Sequence, residues 1–240
     1  GLWRGPDKVS SSSPASPQQL IPNWRTGEEG FTKLPRGNHR ISREEVLASQ
    51  RGRILRAILE LIGEDGPSAV SISEVARRAK ISRKTYYTIF RSFNEGLNEA
   101  FTTAHLLLGA EMATAVASAN MGEPYPRLRA MLSEFFQMAS EEPVVALAIC
   151  GSPVSTKNGL APIWLDVRNA QTQILSSYWA DDQKDAGRDP MSHPSSTAKL
   201  AVISLISAVI LDSLAAGEQD SLTEQVESVL DAVVKILSTS

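Results

Sequence analysis

The chain has 240 residues, 42% hydrophobic and 21% charged, and a net charge of −3. That is enough for one large hydrophobic core or two small ones, while the single cysteine, Cys150, excludes an intramolecular disulfide framework and a cysteine-rich zinc site and suits a reducing compartment. The charge is uneven: residues 1–100 hold 16 Lys and Arg against 11 Asp and Glu, and residues 101–240 hold 8 against 16, so the first part attracts a phosphate backbone and the second stays off it.

Residues 1–40 are rich in Ser, Pro, Gly and Arg and show no hydrophobic period. They cannot bury enough apolar surface to offset the entropy of ordering, and a flexible tail is expected. Its basic end, KLPRGNHRISR at 33–43, either reaches into a minor groove or stays a solvated linker. Over 44–64, Val46, Ile54, Leu55, Ile58, Leu59 and Ile62 recur at helical spacing, with Arg43, Arg51, Arg53 and Arg56 largely on the other side, to touch phosphates or to solvate the surface. Asp65-Gly66-Pro67 ends this helix. Ser71 followed by Glu74 forms a capping-box pattern that starts the next one, carrying Ile72, Val75, Ala76 and Ala79 inward. A second cap, Ser82, follows within about four residues, the span of a helix-turn-helix turn. The short helix after it, 83–90, presents Arg83, Lys84 and Thr85 in its first turn and a phenol at Tyr87. Such groups suit a major groove, where cations meet guanine and hydroxyls meet phosphate. The expected DNA-facing set is Arg43, Ser71, Ser82, Arg83, Lys84, Thr85, Tyr86, Tyr87 and Arg91, on a unit spanning 41–91 whose core is Leu55, Ile58, Leu59, Ile72, Val75, Tyr86 and Phe90.

Ser71, Val75-Ala76, Ser82 and Tyr87-Thr88-Ile89-Phe90 resemble the tetracycline-repressor (TetR) family of one-component regulators, over roughly residues 43–97. Two positions depart from the family pattern: the usual turn glycine is Lys80, and the lysine that usually opens the following helix is Phe93. The resemblance implies a transcriptional regulator that dimerises on a palindromic operator. It implies further that an effector displaces the fourth helix, changes the separation of the two recognition helices and releases DNA. A regulator controlled by a protein partner, or an activator with no small-molecule ligand, is the alternative.

From Ser92 and Glu95, another capping-box pair, a helix is expected over 93–119, with Gly96 either a flexible joint or a chance placement. Further helices follow at 126–140, 143–150 and 161–180, then a polar loop at 181–196. The last two, 198–216 and 221–237, the second opened by Ser221 and Glu224, are expected to form a dimer-making bundle, with Leu222, Val226, Val229, Val233 and Leu237 along one seam. The fold expected is all-α, with about nine helices and an effector-binding and dimerisation unit at 92–240. A pocket for a small apolar or amphipathic effector would draw on Phe101, His105, Met131, Phe135, Cys150, Trp164, Arg168, Gln171 and Tyr178, although such residues at helical spacing also make plain core. Cys150 and His105 lie far apart in sequence, and with no motif for catalysis, metal or cofactor an enzyme is not expected. With no run of 18 apolar residues and no apolar signal core, the expected location is the cytoplasm, without a membrane span.

Overall fold

A reciprocal cap opens the fold: Ser42 Oγ accepts from Glu45 N–H at 3.1 Å and the Glu45 carboxylate accepts from Ser42 N–H at 2.7 Å. The structure, a computed structural model, describes residues 42–151, 160–188 and 194–239, so the tail expected over 1–40 lies outside it. Regular structure among the described residues is entirely helical: α1 (Arg43–Asp65), α2 (Ile72–Arg78), α3 (Arg83–Ile89), α4 (Phe93–Ala117), α5 (Pro126–Glu141), α6 (Pro143–Cys150), α7 (Leu160–Asp185), α8 (Ser196–Ala216) and α9 (Val226–Ser238), with 3-10 turns at Pro67–Ala69 and Gln219–Gln225.

Local chemistry sets most boundaries. Gly66, at φ 82°, ends α1, and Ser71, Ser82, Ser92 and Ser195 each accept a backbone N–H at the start of a helix. The Ser71 and Ser92 pairs are half-boxes, because Glu74 turns to Arg77 and Glu95 accepts from Arg91 N–H instead of the cap's own. Ser221 caps nothing: its hydroxyl donates to the Glu218 carbonyl, so a 3-10 turn occupies 219–225 and the last α-helix starts only at Val226.

Between α2 and α3 the chain reverses on Lys80, whose φ of 53° is left-handed. Lys80 N–H donates to Arg77 O and Ile81 N–H to Ala76 O, the two bonds of a Schellman turn.

One continuous apolar core joins both halves of the chain. Helix α1 buries Ile54, Leu55, Ile58, Leu59, Leu61 and Ile62 between α2–α4 on one side and α6 on the other. Its crossing with α6 is close enough that a Cβ on Gly63 would overlap the Val144 carbonyl. Arg56 bridges the same crossing, bonding Glu60 and Glu142 at 2.7 Å each. Arg51 grips Glu99 of α4 with two hydrogen bonds and lies 5.1 Å from the centre of the Phe90 ring. The arginines expected to contact phosphate or solvent therefore serve, at these two positions, to staple helices together.

Two more expectations change. Helix α7 runs five residues past 180 to Asp185 because Asp182 is buried there, accepting from Arg127 N–H (3.2 Å), Leu128 N–H (3.1 Å) and the Arg127 guanidinium (3.0 Å). It caps α5, whose own N-cap residue Tyr125 is left-handed and offers no side-chain bond. The seam of Leu222, Val226, Val229, Val233 and Leu237 turns inward and is buried within the subunit, packed against α5 and α8, so it is not free for a dimer. Helices α4 and α8 are long and apolar enough to cross a bilayer by length and composition alone, yet α4 packs on α1 and α5 and α8 on α6, α7 and α9.

Substituting Gly63→Ala should lower stability by about 2 kcal/mol or more, since backbone blocks the new methyl group. Lys80→Gly should raise it by about 0.5–1 kcal/mol, because relief of a left-handed conformation, about 1–2 kcal/mol, exceeds glycine's entropy cost of about 0.5–1 kcal/mol. Urea midpoints of the two variants check both signs.

Candidate nucleic-acid interface and regulatory cavity

Helix α3 is held from beneath by Tyr86 and Phe90, both fully buried, their ring centroids 5.5 Å apart. The Tyr86 hydroxyl donates to the Phe93 carbonyl at 3.3 Å. Gly96 lies against that hydroxyl so closely that a Cβ would overlap it. Gly96 is thus a packing requirement rather than a joint, and Tyr86, expected among the DNA-facing residues, is core. Its burial pushes the phenol up to about 12.

The remaining members of that set lie at or near the surface. Ser71 and Ser82 are exposed N-caps, and Thr85 pairs with the Ser82 hydroxyl at 2.9 Å. Tyr87 is 54% exposed, its ring edge-on to Tyr86. Charge separates the cations into two groups. Arg77 is tied to Glu74, and Arg78 to Glu64 and Glu60. Among the described residues, the side chains of Arg43, Lys80, Arg83, Lys84 and Arg91 meet no carboxylate, and all five are exposed. Three of these cations, Lys80, Arg83 and Lys84, stand at the N-terminal end of α3, and Arg91 follows its other end, so positive potential concentrates at the N-terminal end.

A second feature lies between α4, α5, α7 and α8. An apolar compartment of about 60 Å³, walled by Leu108, Met112, Met131, Ile174 and Ile206, adjoins a mostly polar one of about 20 Å³ walled by Cys150, Trp164 and Arg168. They share Phe135, Gln171, Ile203 and Ser207. Met131, Phe135, Cys150, Trp164, Arg168 and Gln171, expected at an effector site, thus converge on one cavity. Phe101, His105 and Tyr178 do not line it: Phe101 is buried and stacks on His105 at 6.3 Å, and Tyr178 is half-buried on α7. Met112, Ile203 and Ser207 were missed, although a serine within an otherwise apolar run was a readable signal for Ser207.

Cys150 bonds the Ser207 hydroxyl, and burial pushes its thiol up to about 12, which withholds the thiolate a nucleophile needs. His105 Nδ1 donates to the Phe101 carbonyl at 2.8 Å, and Nε2 is buried without a partner. Among the described residues no three His, Cys, Asp or Glu side chains gather as metal ligands do.

Burial depresses the His105 pKa, so the folded state holds the ring neutral while the unfolded chain protonates near its ordinary value of about 6.5. Its contribution to stability is present above about pH 6.5 and is lost as pH falls. The urea midpoint should drop between pH 7.5 and 5.5, and His105→Leu should flatten that slope.

A profile of bacterial regulatory proteins, tetR family, matches residues 54–95. No curated protein sequence matches the chain. Among solved structures, the fatty acid degradation regulator FadR of Bacillus halodurans superposes with a TM-score of 0.67 at 15% identity, covering 77% of this chain and 94% of its own. The transcriptional regulator FadR of Bacillus subtilis, in complex with stearoyl-CoA, gives 0.63 at 17% identity, covering 76% and 96%. A transcriptional regulator of Rhodococcus sp. Rha1 gives 0.57 at 19%, covering 77% and 96%. These likenesses are of fold. Residues 54–95, which hold the helix-turn-helix, match the tetR family of bacterial regulatory proteins, and over the rest of the chain the likeness is one of fold.

Proposed function

We propose that the protein is a repressor that binds a palindromic operator as a homodimer and leaves it when a small apolar or amphipathic effector enters the cavity. The observation that carries this reading is the span of α4. Its first turn holds the recognition helix through Phe93 and Gly96, and Leu108 and Met112, some four turns along, wall the cavity. A group that widens the cavity must therefore act on the helix that seats α3. Residues 41–91 form the DNA-binding unit in this reading, and 92–240 the effector and dimer unit.

On the DNA side, Arg83, Lys84, Thr85 and Tyr87 enter the major groove, and Arg43 and Arg91 meet flanking phosphates. Ser71 and Ser82 contribute by setting the helix starts. The effector side draws support from the Bacillus subtilis neighbour, solved in complex with stearoyl-CoA. At about 60 Å³ the apolar compartment is smaller than the roughly 150 Å³ that admits benzene, so an effector of that size enters only if the walls move.

For the dimer, the inward turn of the α9 seam leaves the outer face of α8. There Leu200, Ala201, Ser204, Ala208, Leu211 and Ala215 form a small, apolar stripe that admits a second helix closely. Two such subunits set their recognition helices about 34 Å apart, one turn of DNA. The alternative, control by a protein partner, has no observation of its own.

Anisotropy on the gene's own upstream DNA, with random DNA as competitor, tests the reading; equal, weak binding to both counts against it. Lys84→Ala should weaken specific binding and reduce the salt slope by about one. Tyr87→Phe should weaken it less, by about the one phosphate hydrogen bond it removes. Both should sediment as dimers. Ala208→Arg should yield a folded monomer whose DNA affinity falls at least tenfold, on the order of a lost half-site.

A further inference from the structure

The polar compartment holds an arginine that meets no counter-charge among the described residues. The Arg168 guanidinium lies 3.6 Å above the Trp164 ring, one helical turn away on α7, and lines the cavity beside Gln171 and Ser207. No carboxylate and no hydrogen-bond acceptor among the described residues meets it. Three other arginines drawn into the helix packing are paired, Arg51 with Glu99, Arg56 with Glu142 and Arg127 with Asp182, whereas Arg53 buries its Nε without a partner among the described residues. Stacking on an indole fixes the guanidinium plane while leaving its N–H groups unused.

On the far side of Phe135 the character reverses, and the walls are Leu108, Met112, Met131 and Ile206. Two are unbranched thioethers, the side chains that yield most easily to an entering chain. At about 60 Å³ the space excludes a ring system, and a narrow tail would enter only with a change of rotamer at Met112 and Met131.

We propose that the effector is an amphipathic anion, a single apolar chain with a carboxylate or phosphate head, whose charge pairs with Arg168 and whose tail lies between Met112 and Met131. This rests on the reading of the cavity as the effector site. Burial with no opposing charge lowers the Arg168 pKa, and a bound anion would restore it. Gln171 and Ser207, at the wall between the compartments, lie where head meets tail and can bond an ester or thioester carbonyl.

Calorimetric titration of the full chain with decanoate, decyl sulfate and decan-1-ol, all below micellar concentrations, tests the proposal. Both anions should bind roughly tenfold tighter than the alcohol, the worth of one charge-assisted hydrogen bond. Arg168→Gln should lower anion affinity by that factor and leave the alcohol unchanged, and Arg168→Lys should retain most of it. Decanoyl coenzyme A, with its charge on phosphates beyond a thioester, distinguishes the source: binding as tight as decanoate and equally sensitive to Arg168→Gln marks a carrier-bound acid, and weaker binding a free one. Equal affinity of the wild type for anion and alcohol, or an unchanged anion affinity in Arg168→Gln, overturns the anionic head while leaving the cavity as an effector site. Failure of all four compounds to bind overturns the cavity reading as well.

Discussion

The crossing of α1 over α6 is the contact on which the arrangement of the two halves depends. At Gly63 the backbones touch because no side chain intervenes, and Arg56 closes the same crossing by bonding Glu142, the residue that opens α6. Arg56 and Glu142 are only 13% and 6% exposed. An ion pair this dry contributes little net stability, yet losing one partner strands a buried charge at a cost of about 3–5 kcal/mol. The pair therefore fixes orientation more than it adds strength, and it does so where α1, the floor of the helix-turn-helix, meets the helix whose other end walls the cavity.

Two connections thus run from cavity to recognition helix. One passes along α4, from Leu108 and Met112 to Phe93 and Tyr86; the other passes along α6, from Ile149 and Cys150 to Val144, Gly63 and Arg56. Both end on α1 or α3, and both are rigid elements joined by close packing rather than by loops. Packed interfaces of this kind shift between discrete arrangements instead of deforming smoothly. Arg51, which holds Glu99 of α4 and lies over Phe90, ties the two routes together beneath the recognition helix.

Local signals in the sequence reached a long way. Serine caps placed the starts of α2, α3 and α4, and apolar period placed α1, α5 and α6 almost to the residue. Lys80 was readable as a left-handed position because the resemblance called for a glycine there, and the chain does adopt that conformation. What stayed hidden was tertiary. Asp182 caps a helix that begins more than fifty residues earlier, which no local pattern encodes. Arg51 and Arg56 look like any exposed basic stripe until their carboxylates arrive from α4 and α6. Gly96 reads as a weak point in its helix, and only the Tyr86 hydroxyl reveals why nothing larger fits; Gly63 carries no such signal, and only the Val144 backbone shows its purpose. For the cavity, residue type was informative: methionine, aromatic and isolated polar groups on the right helices did converge. Which of them faced inward was not, and Phe101, His105 and Tyr178 turned elsewhere.

The length of α4 has a mechanical meaning. Its 25 residues make a rod of roughly 37 Å at 1.5 Å per residue, and the stretch from Leu108 to Phe93 is about 22 Å of it. If the helix pivots near the cavity, a tilt of about 5° carries its opening turn through roughly 2 Å on that rise per residue. Hydrogen bonds to base edges fail within a few tenths of an ångström of their working distance, between about 2.7 and 3.2 Å. In the proposed reading, the lever arm would turn a small shift at the cavity into a displacement larger than base-edge hydrogen bonds tolerate.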